Sequence, residues 1–241
     1  MGVFMKGKFL AGSNEKSVER NIYSDKSSLV LEWLLKKGKG QELTLRSVAL
    51  ETGVSLGLVQ GVFENLISKG VLKVDGVRTS KKFIISNLKI LIDDWLDQYS
   101  VVKKCKMRTY QSGFQDKEEL IKALKKSNFC QKTALALHSA AETLGYRNTN
   151  LNTLELYVLD PLIRPQLEKK LLLEPQEKGY EVLLIEPYYK SLIINNLNHG
   201  VNVSPAILTF LDLYHFPLRG QEQAEFILKR LPELKKIYTK R

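Results

Sequence analysis

Residues 44–86 read TLRSVALETGVSLGLVQGVFENLISKGVLKVDGVRTSKKFIIS, and the order of signals in this stretch decides the fold of the N-terminal part. Thr44 is placed to cap a short helix by accepting from the free amides of its first turn, and Leu45, Val48 and Ala49 then form one apolar stripe. Ala49 is small where two helices must approach, Gly53 relaxes the backbone at the helix exit, and Val54 fills the corner. Ser55 caps a second helix. Its Val59, Val62, Leu66 and Ile67 recur at helical spacing, which turns Ser55, Leu56, Gly57, Gln60 and Gly61 toward the other face. Gly70 ends that helix, and VLKVDG followed by VRTSKKFIIS reads as two strands around an Asp75-Gly76 hairpin turn.

Two helices, a tight corner and a basic hairpin in this order read as a winged helix-turn-helix, whose partner is double-stranded DNA. The residues expected to face DNA are Thr44 and Arg46 at the start of the first helix, Ser55 and Gln60 on the second, and Arg78, Lys81 and Lys82 on the wing. Cations on a wing neutralise phosphates and release condensed counterions, the main sequence-independent source of affinity. The second helix offers no Arg, Lys or Asn near its start, and those side chains make most bidentate base contacts. Base readout is therefore expected to be thin, with specificity coming from the wing, from DNA shape or from two modules on a repeated site. A plain helical bundle would use the same apolar pattern without nucleic acid.

Charge points the same way. The chain has 241 residues, 44% of them hydrophobic, and a formal net charge of +11. Residues 1–112 carry 19 Lys+Arg against 11 Asp+Glu, while residues 113–241 carry 18 against 15. The excess lies with the helix-turn-helix, which fits nucleic acid as the partner of that half. No apolar run is long enough to cross a bilayer, and the start MGVFMKGKFL lacks a sustained apolar core, so a cytoplasmic protein without a membrane partner is expected.

Around the motif, residues 1–25 read as a basic arm or extension and 26–87 as the winged helix-turn-helix domain. Its first helix, LVLEWLLKKG, is marked by Leu31, Trp33, Leu34 and Leu35 and ends at Gly38. Residues 88–112 read as a connecting helix and basic linker. In the helix LKILIDDWLDQYS, Leu88, Leu91, Ile92, Trp95 and Leu96 share one side, suited to packing within the chain or to a homodimer contact. The linker VVKKCKMRTYQSG groups several cations and offers an extra phosphate contact. Residues 113–241 read as a mixed α/β domain, so the fold class is α+β. Helices are expected at Lys117 to Lys126 and Cys130 to Leu144, strands at Leu154 to Leu159, Tyr180 to Ile185 and Leu192 to Ile194, and helices again in AILTFLDLYHF after Pro205 and in QEQAEFILKRL after Gly220.

Catalytic and metal chemistry find no foothold. Asp160 and the Glu168-Lys169-Lys170 run hold the residue types of a Mg²⁺ nuclease, but Pro161 and Pro165 break the chain between them. The one Gly-Ser pair, Gly12-Ser13, lies in the arm rather than at a phosphate-binding helix start. Cys105 and Cys130 form no paired motif, with Cys130 expected as a small buried residue on a helix, and His138, His199 and His215 are scattered without a second ligand at metal spacing. No catalytic residue, metal or cofactor is expected.

The segments ENLISKGVL, LGYRNTN before LELYV, EVLLIEPYY, and VSPAILTFLDLYHFPLRGQEQAEFIL together resemble the AbiEi-type antitoxins, transcriptional regulators of bacterial type IV toxin-antitoxin systems that act in abortive infection. The resemblance runs from about Ser27 to Leu231. It implies a repressor of its own operon that binds repeated operator sequences, and a C-terminal domain that counters a nucleotidyltransferase-like toxin without a tight complex. It also draws Arg219, Glu222 and Glu225 forward as antitoxin residues. Their plainer reading is a turn followed by acids at the positive end of a helix. The alternatives are a stand-alone winged-helix regulator, or an interaction or enzymatic module without antitoxin activity.

Overall fold

The computed structural model describes residues 21–77, 81–127, 129–194 and 201–238. Helix α1 (Asp25–Lys37) buries Val30, Leu31, Leu34 and Leu35, leaves Trp33 half-buried, and ends at Gly38 with φ 85°. Strand β1 (Glu42–Leu43) leads into α2 (Leu45–Thr52) and α3 (Leu56–Ser68). Thr44 and Ser47 cap α2 reciprocally, the Ser47 amide donating to Thr44 Oγ1 at 3.2 Å. Gly53, at φ 67° and ψ 19°, takes the left-handed conformation that lets the chain turn sharply, and Ser55 Oγ accepts from the Leu58 amide at 3.3 Å to start α3.

Strands β2 (Leu72–Asp75) and β3 (Lys82–Ile85) complete an antiparallel sheet in the order β1-β3-β2. Asp75 pairs with Lys82, so the expected two-residue turn at Asp75-Gly76 is replaced by a longer connection. Side-chain chemistry sets this register. A turn at Asp75-Gly76 would set Thr79 opposite Leu72, whereas the observed pairing sets Ile85 there and Phe83 opposite Val74, and both Phe83 and Ile85 are buried.

Helix α4 (Leu88–Gln98) buries Leu88, Leu91, Ile92, Trp95 and Leu96. That stripe is covered inside its own chain, so it is not the face of a dimer. After α5 (Val101–Lys104), the stretch expected as a basic linker is strand β4 (Lys106–Ser112), paired on both sides. The exposed cations Lys106 and Arg108 share a face with Tyr110, which is buried further along the strand, while Met107 on the opposite face packs against the larger core.

Helix α6 (Lys117–Lys125) follows, capped by Asp116. The helix expected from Cys130 to Leu144 divides into a 3-10 turn at Cys130–Lys132, strand β5 (Thr133–Leu135) and α7 (Leu137–Thr143). Asn202 Nδ2 donates to the carbonyls of Cys130 and Thr133, and Leu137 adopts φ 46° where strand becomes helix, so tertiary partners override the alanine-rich pattern. Cys130 is accordingly half-buried in a turn rather than buried on a helix. Then come β6 (Leu154–Val158), α8 (Arg164–Lys170), β7 (Leu173–Pro175) and β8 (Val182–Glu186), and the five-stranded sheet has the order β5-β6-β8-β4-β7. Strands β6 and β8 run parallel, and the other paired strands of this sheet are antiparallel.

The two parallel strands are buried on both faces. Leu154, Leu156, Val158, Val182 and Leu184 meet α6 and α8, while Tyr157, Leu183 and Ile185 join the larger core on the other side. Leu192 to Ile194, expected as a strand, lies in α9 (Lys190–Ile194). The chain ends with α10 (Ala206–Tyr214), α11 (Gly220–Leu228) and α12 (Pro232–Tyr238).

One core runs from Ile22 to Leu234 and contains α1, α3, α4, α10 and α11 together. Tyr23 and Ile22 are buried in it, so the described end of the expected arm is packed. Ser191 donates through its amide and hydroxyl to the two Asp25 oxygens at 2.8 and 2.7 Å, and Trp95 Nε1 donates to Tyr189 Oη at 2.8 Å. Among the described residues no helix is long and apolar enough to cross a membrane.

Candidate nucleic-acid interface and the C-terminal cluster

On α3, Val59, Val62, Phe63 and Leu66 are buried, which leaves Leu56, Gly57, Gln60 and Glu64 exposed along one side. Gln60 Nε2 donates to Glu64 Oε1 at 2.9 Å, so this amide is already engaged. Leu56 is 45% exposed at the first position of the helix, and a Cβ on Gly57 would meet nothing within 4 Å. Thr44 and Ser55 are exposed, but their hydroxyls serve the helix caps. Arg46 stands exposed one residue into α2 and makes no ion pair with any described residue.

The sheet adds cations beside these helices. Lys73, Lys81 and Lys82 are exposed, and Arg78 lies outside the described residues. Lys82 Nζ donates to Glu42 Oε2 at 2.6 Å across the β1–β3 pair, and this contact pushes the lysine's pKa up. Lys82 is thus a held cation and Lys81 an unheld one among the described residues. Sequence reasoning passed over both Lys73 and Glu42; alternation along β2 exposes the former, and the latter needs the register of β1 on β3.

Arg219, with φ 56°, precedes α11 and grips Glu222 through a two-pronged contact, Nε to Oε2 at 2.9 Å and Nη2 to Oε1 at 2.7 Å. The contact holds the Glu222 carboxyl below its usual range. Glu225 lies one turn further along, exposed, and accepts from Gln221 at 3.4 Å. The glycine between them is buried: a Cβ on Gly220 would stand 2.4 Å from the Leu213 carbonyl oxygen and 2.7 Å from Phe216 Cβ. The Arg-Gly pair therefore lets α11 lie against α10.

Two carboxylates missed by the sequence reading are fully buried. Asp212 Oδ1 accepts from Tyr99 Oη at 2.8 Å and Oδ2 from Tyr157 Oη at 2.7 Å. Burial pushes its pKa up to about 7, and the two hydroxyl donors oppose the rise. Cys105, 3.9 Å from Tyr99 Oη, is pushed up to about 12 by burial and the same carboxyl, so its thiol stays protonated and inert. Glu155 Oε2 accepts from the Ser139 amide and hydroxyl at 2.9 and 2.6 Å, with Thr153 and Tyr180 on Oε1. A signal existed: Asp212 is the sole charge in AILTFLDLY, and alternation in LELYV sets Glu155 beside Tyr157.

The acids weighed as nuclease ligands have separate partners. Asp160 accepts from the Leu162 amide at 3.1 Å and pairs with Lys132 at 3.2 Å, whereas Glu168 accepts from Tyr110 Oη at 2.6 Å. His138 Nε2 meets the Leu218 carbonyl at 2.8 Å, and burial lowers the ring's pKa; His215 Nε2 meets the Leu96 carbonyl at 2.9 Å. Among the described residues no cluster of three metal-ligating side chains occurs.

The fold is that of a mixed α/β protein of the α+β class, with a small helical and antiparallel module built onto a five-stranded mixed sheet. The sequence model of the family described as "Transcriptional regulator, AbiEi antitoxin, Type IV TA system" matches residues 84–232. The chain belongs to this family of type IV toxin-antitoxin regulators. The match begins inside β3, so α1, α2 and α3 lie outside it. Searches among curated proteins and among solved structures gave no match.

Proposed function

We propose that residues 26–87 act as a winged helix-turn-helix that binds an operator and represses the chain's own operon, and that residues 113–241 counter a nucleotidyltransferase-like toxin. The observation that carries the DNA reading is the α2–α3 unit: two capped helices joined at a left-handed Gly53, followed by a sheet with Lys73, Lys81 and Lys82 exposed beside them. In such a unit the second helix enters the major groove, while the first helix and the wing touch phosphates. Arg46, Lys81, Lys82 and Arg78 are the proposed phosphate contacts, and Thr44, Ser55 and Gln60 line the approach. Membership of a family of transcriptional regulators supports the same reading. For the second role, Arg219, Glu222 and Glu225 on the exposed start of α11 are the proposed antitoxin residues.

Electrophoretic shift on the chain's own promoter tests the first role. Each lost phosphate contact lowers the slope of log affinity against log salt by about 0.9. An Arg78, Lys81, Lys82 triple alanine variant is expected to lower the slope by two to three such steps and to bind at least tenfold more weakly at moderate salt. Glu42→Gln, which removes the competitor for Lys82, is expected to tighten binding. Equal binding by wild type and the triple variant, with no salt dependence, removes the wing from the interface. For the second role, a nucleotidyltransferase-like toxin gene is expected beside this one, and rescue of cells that express its product tests the role; failure of the full-length chain to rescue them overturns it.

A further inference from the structure

The face that α3 turns outward is short of the groups that read bases by hydrogen bonding. Gln60 is tied to Glu64, and Ser55 is spent on the cap. What it does present is an aliphatic side chain, Leu56, in the first turn and beside a glycine with open space where a side chain would be. Leu56, Gly57, Gln60 and Glu64 follow one another at helical spacing, so they share a side of the helix. Several large apolar side chains are exposed on this molecule, and Leu56 is the one that stands in the first turn of α3.

We propose that Leu56 is a specificity residue that reads the 5-methyl groups of thymine in the major groove, with Gly57 allowing the helix backbone to approach the base edges. This deepens the operator-binding reading and rests on it. Thymine alone among the four bases offers a methyl group in the major groove, and apolar side chains recognise it by contact. The helix N-terminus is the part of a recognition helix that reaches base edges. The same module exposes Arg46 on α2 and Lys81 beside β3, cations suited to phosphate contacts, which favours DNA over an apolar protein as the occupant. Leu50 is 84% exposed but lies on α2, the helix that crosses the backbone, and is not assigned to base reading.

The test compares synthetic operator duplexes that differ only by thymine-to-uracil replacement, which deletes the methyl and leaves pairing intact. Burying one methyl contributes roughly 0.8 kcal/mol, or about fourfold in affinity. Wild type is expected to bind uracil duplexes about fourfold more weakly for each contacted thymine, Leu56→Ala to bind thymine and uracil duplexes equally, and Leu50→Ala to retain the wild-type ratio. Circular dichroism of both variants checks that they are folded.

A wild type that binds both duplexes equally, or a Leu56→Ala variant that keeps the full ratio, overturns the assignment while leaving operator binding intact. Absence of binding to any promoter duplex overturns operator binding and this assignment with it. If Leu56→Ala instead changes the oligomeric state in sedimentation and leaves the ratio untouched, the leucine belongs to a protein interface and the assignment fails.

Discussion

Gly220 shows how much one missing side chain determines. Its buried Cα sits where a methyl group would press on the Leu213 carbonyl, a backbone atom that cannot swing aside. Gly220→Ala is expected to cost about 3 kcal/mol, the upper part of the usual range for forcing a group into a filled core. For a chain of this size that corresponds to a fall of roughly 6 to 12 °C in melting temperature, measurable by calorimetry. The sequence shows Arg219-Gly220 as a turn before a helix but not why glycine is needed, because the reason is the neighbouring helix. Ser55 is the opposite case. Its capping bond is made to its own helix three residues on, and local spacing alone discloses it.

At the scale of elements, legibility followed the range of the interactions that decide each one. Helices α2 and α3, stabilised by their own caps and stripes, lie where the 44–70 pattern puts them. Strand β4 was hidden, since its identity comes from β7 and β8, which lie some 60 to 80 residues away in sequence. Helix α12 was not anticipated at all; its seven residues are too short to show a period. The position of β4 has a consequence for dissection. A fragment of residues 113–241 would lose the strand between β8 and β7 and leave both edges unpaired. Such a fragment is expected to be poorly soluble and to lack a cooperative melt, whereas one that begins before β4 keeps the sheet. Far-ultraviolet circular dichroism with heating distinguishes the two, and any rescue assay on the shorter piece should be read against it.

Across the whole molecule, the candidate DNA-facing module and the family-matched region share a core, and within the matched region Asp212 ties three segments together. Tyr99 beside α4, Tyr157 on β6 and Asp212 on α10 meet there, far from one another in sequence. Asp212 also makes stability depend on pH in a definite direction. Its folded pKa, about 7, lies above that of an unfolded aspartate near 3.9, so between these values the folded chain binds the extra proton. The group's contribution is greatest below about pH 4, declines as pH rises to about 7, and is constant above. The decline is on the order of a few kcal/mol. Asp212→Asn cannot ionise and is expected to flatten that part of the stability profile, measured by urea denaturation at a series of pH values.

The sequence by itself determined the caps, the left-handed corner, the apolar stripes of the N-terminal helices and the mixed composition of the second half, because each depends on residues within a few positions of one another. Membership of the AbiEi family was legible there as well. Tertiary structure alone decided the register of the hairpin, the conversion of a basic linker into an inner strand, the burial of Asp212 and Glu155, and the pairing of Lys82 with Glu42. These depend on which distant segments meet, and a sheet accepts any strand whose buried positions and backbone partners match, whatever the charges at its exposed positions suggest.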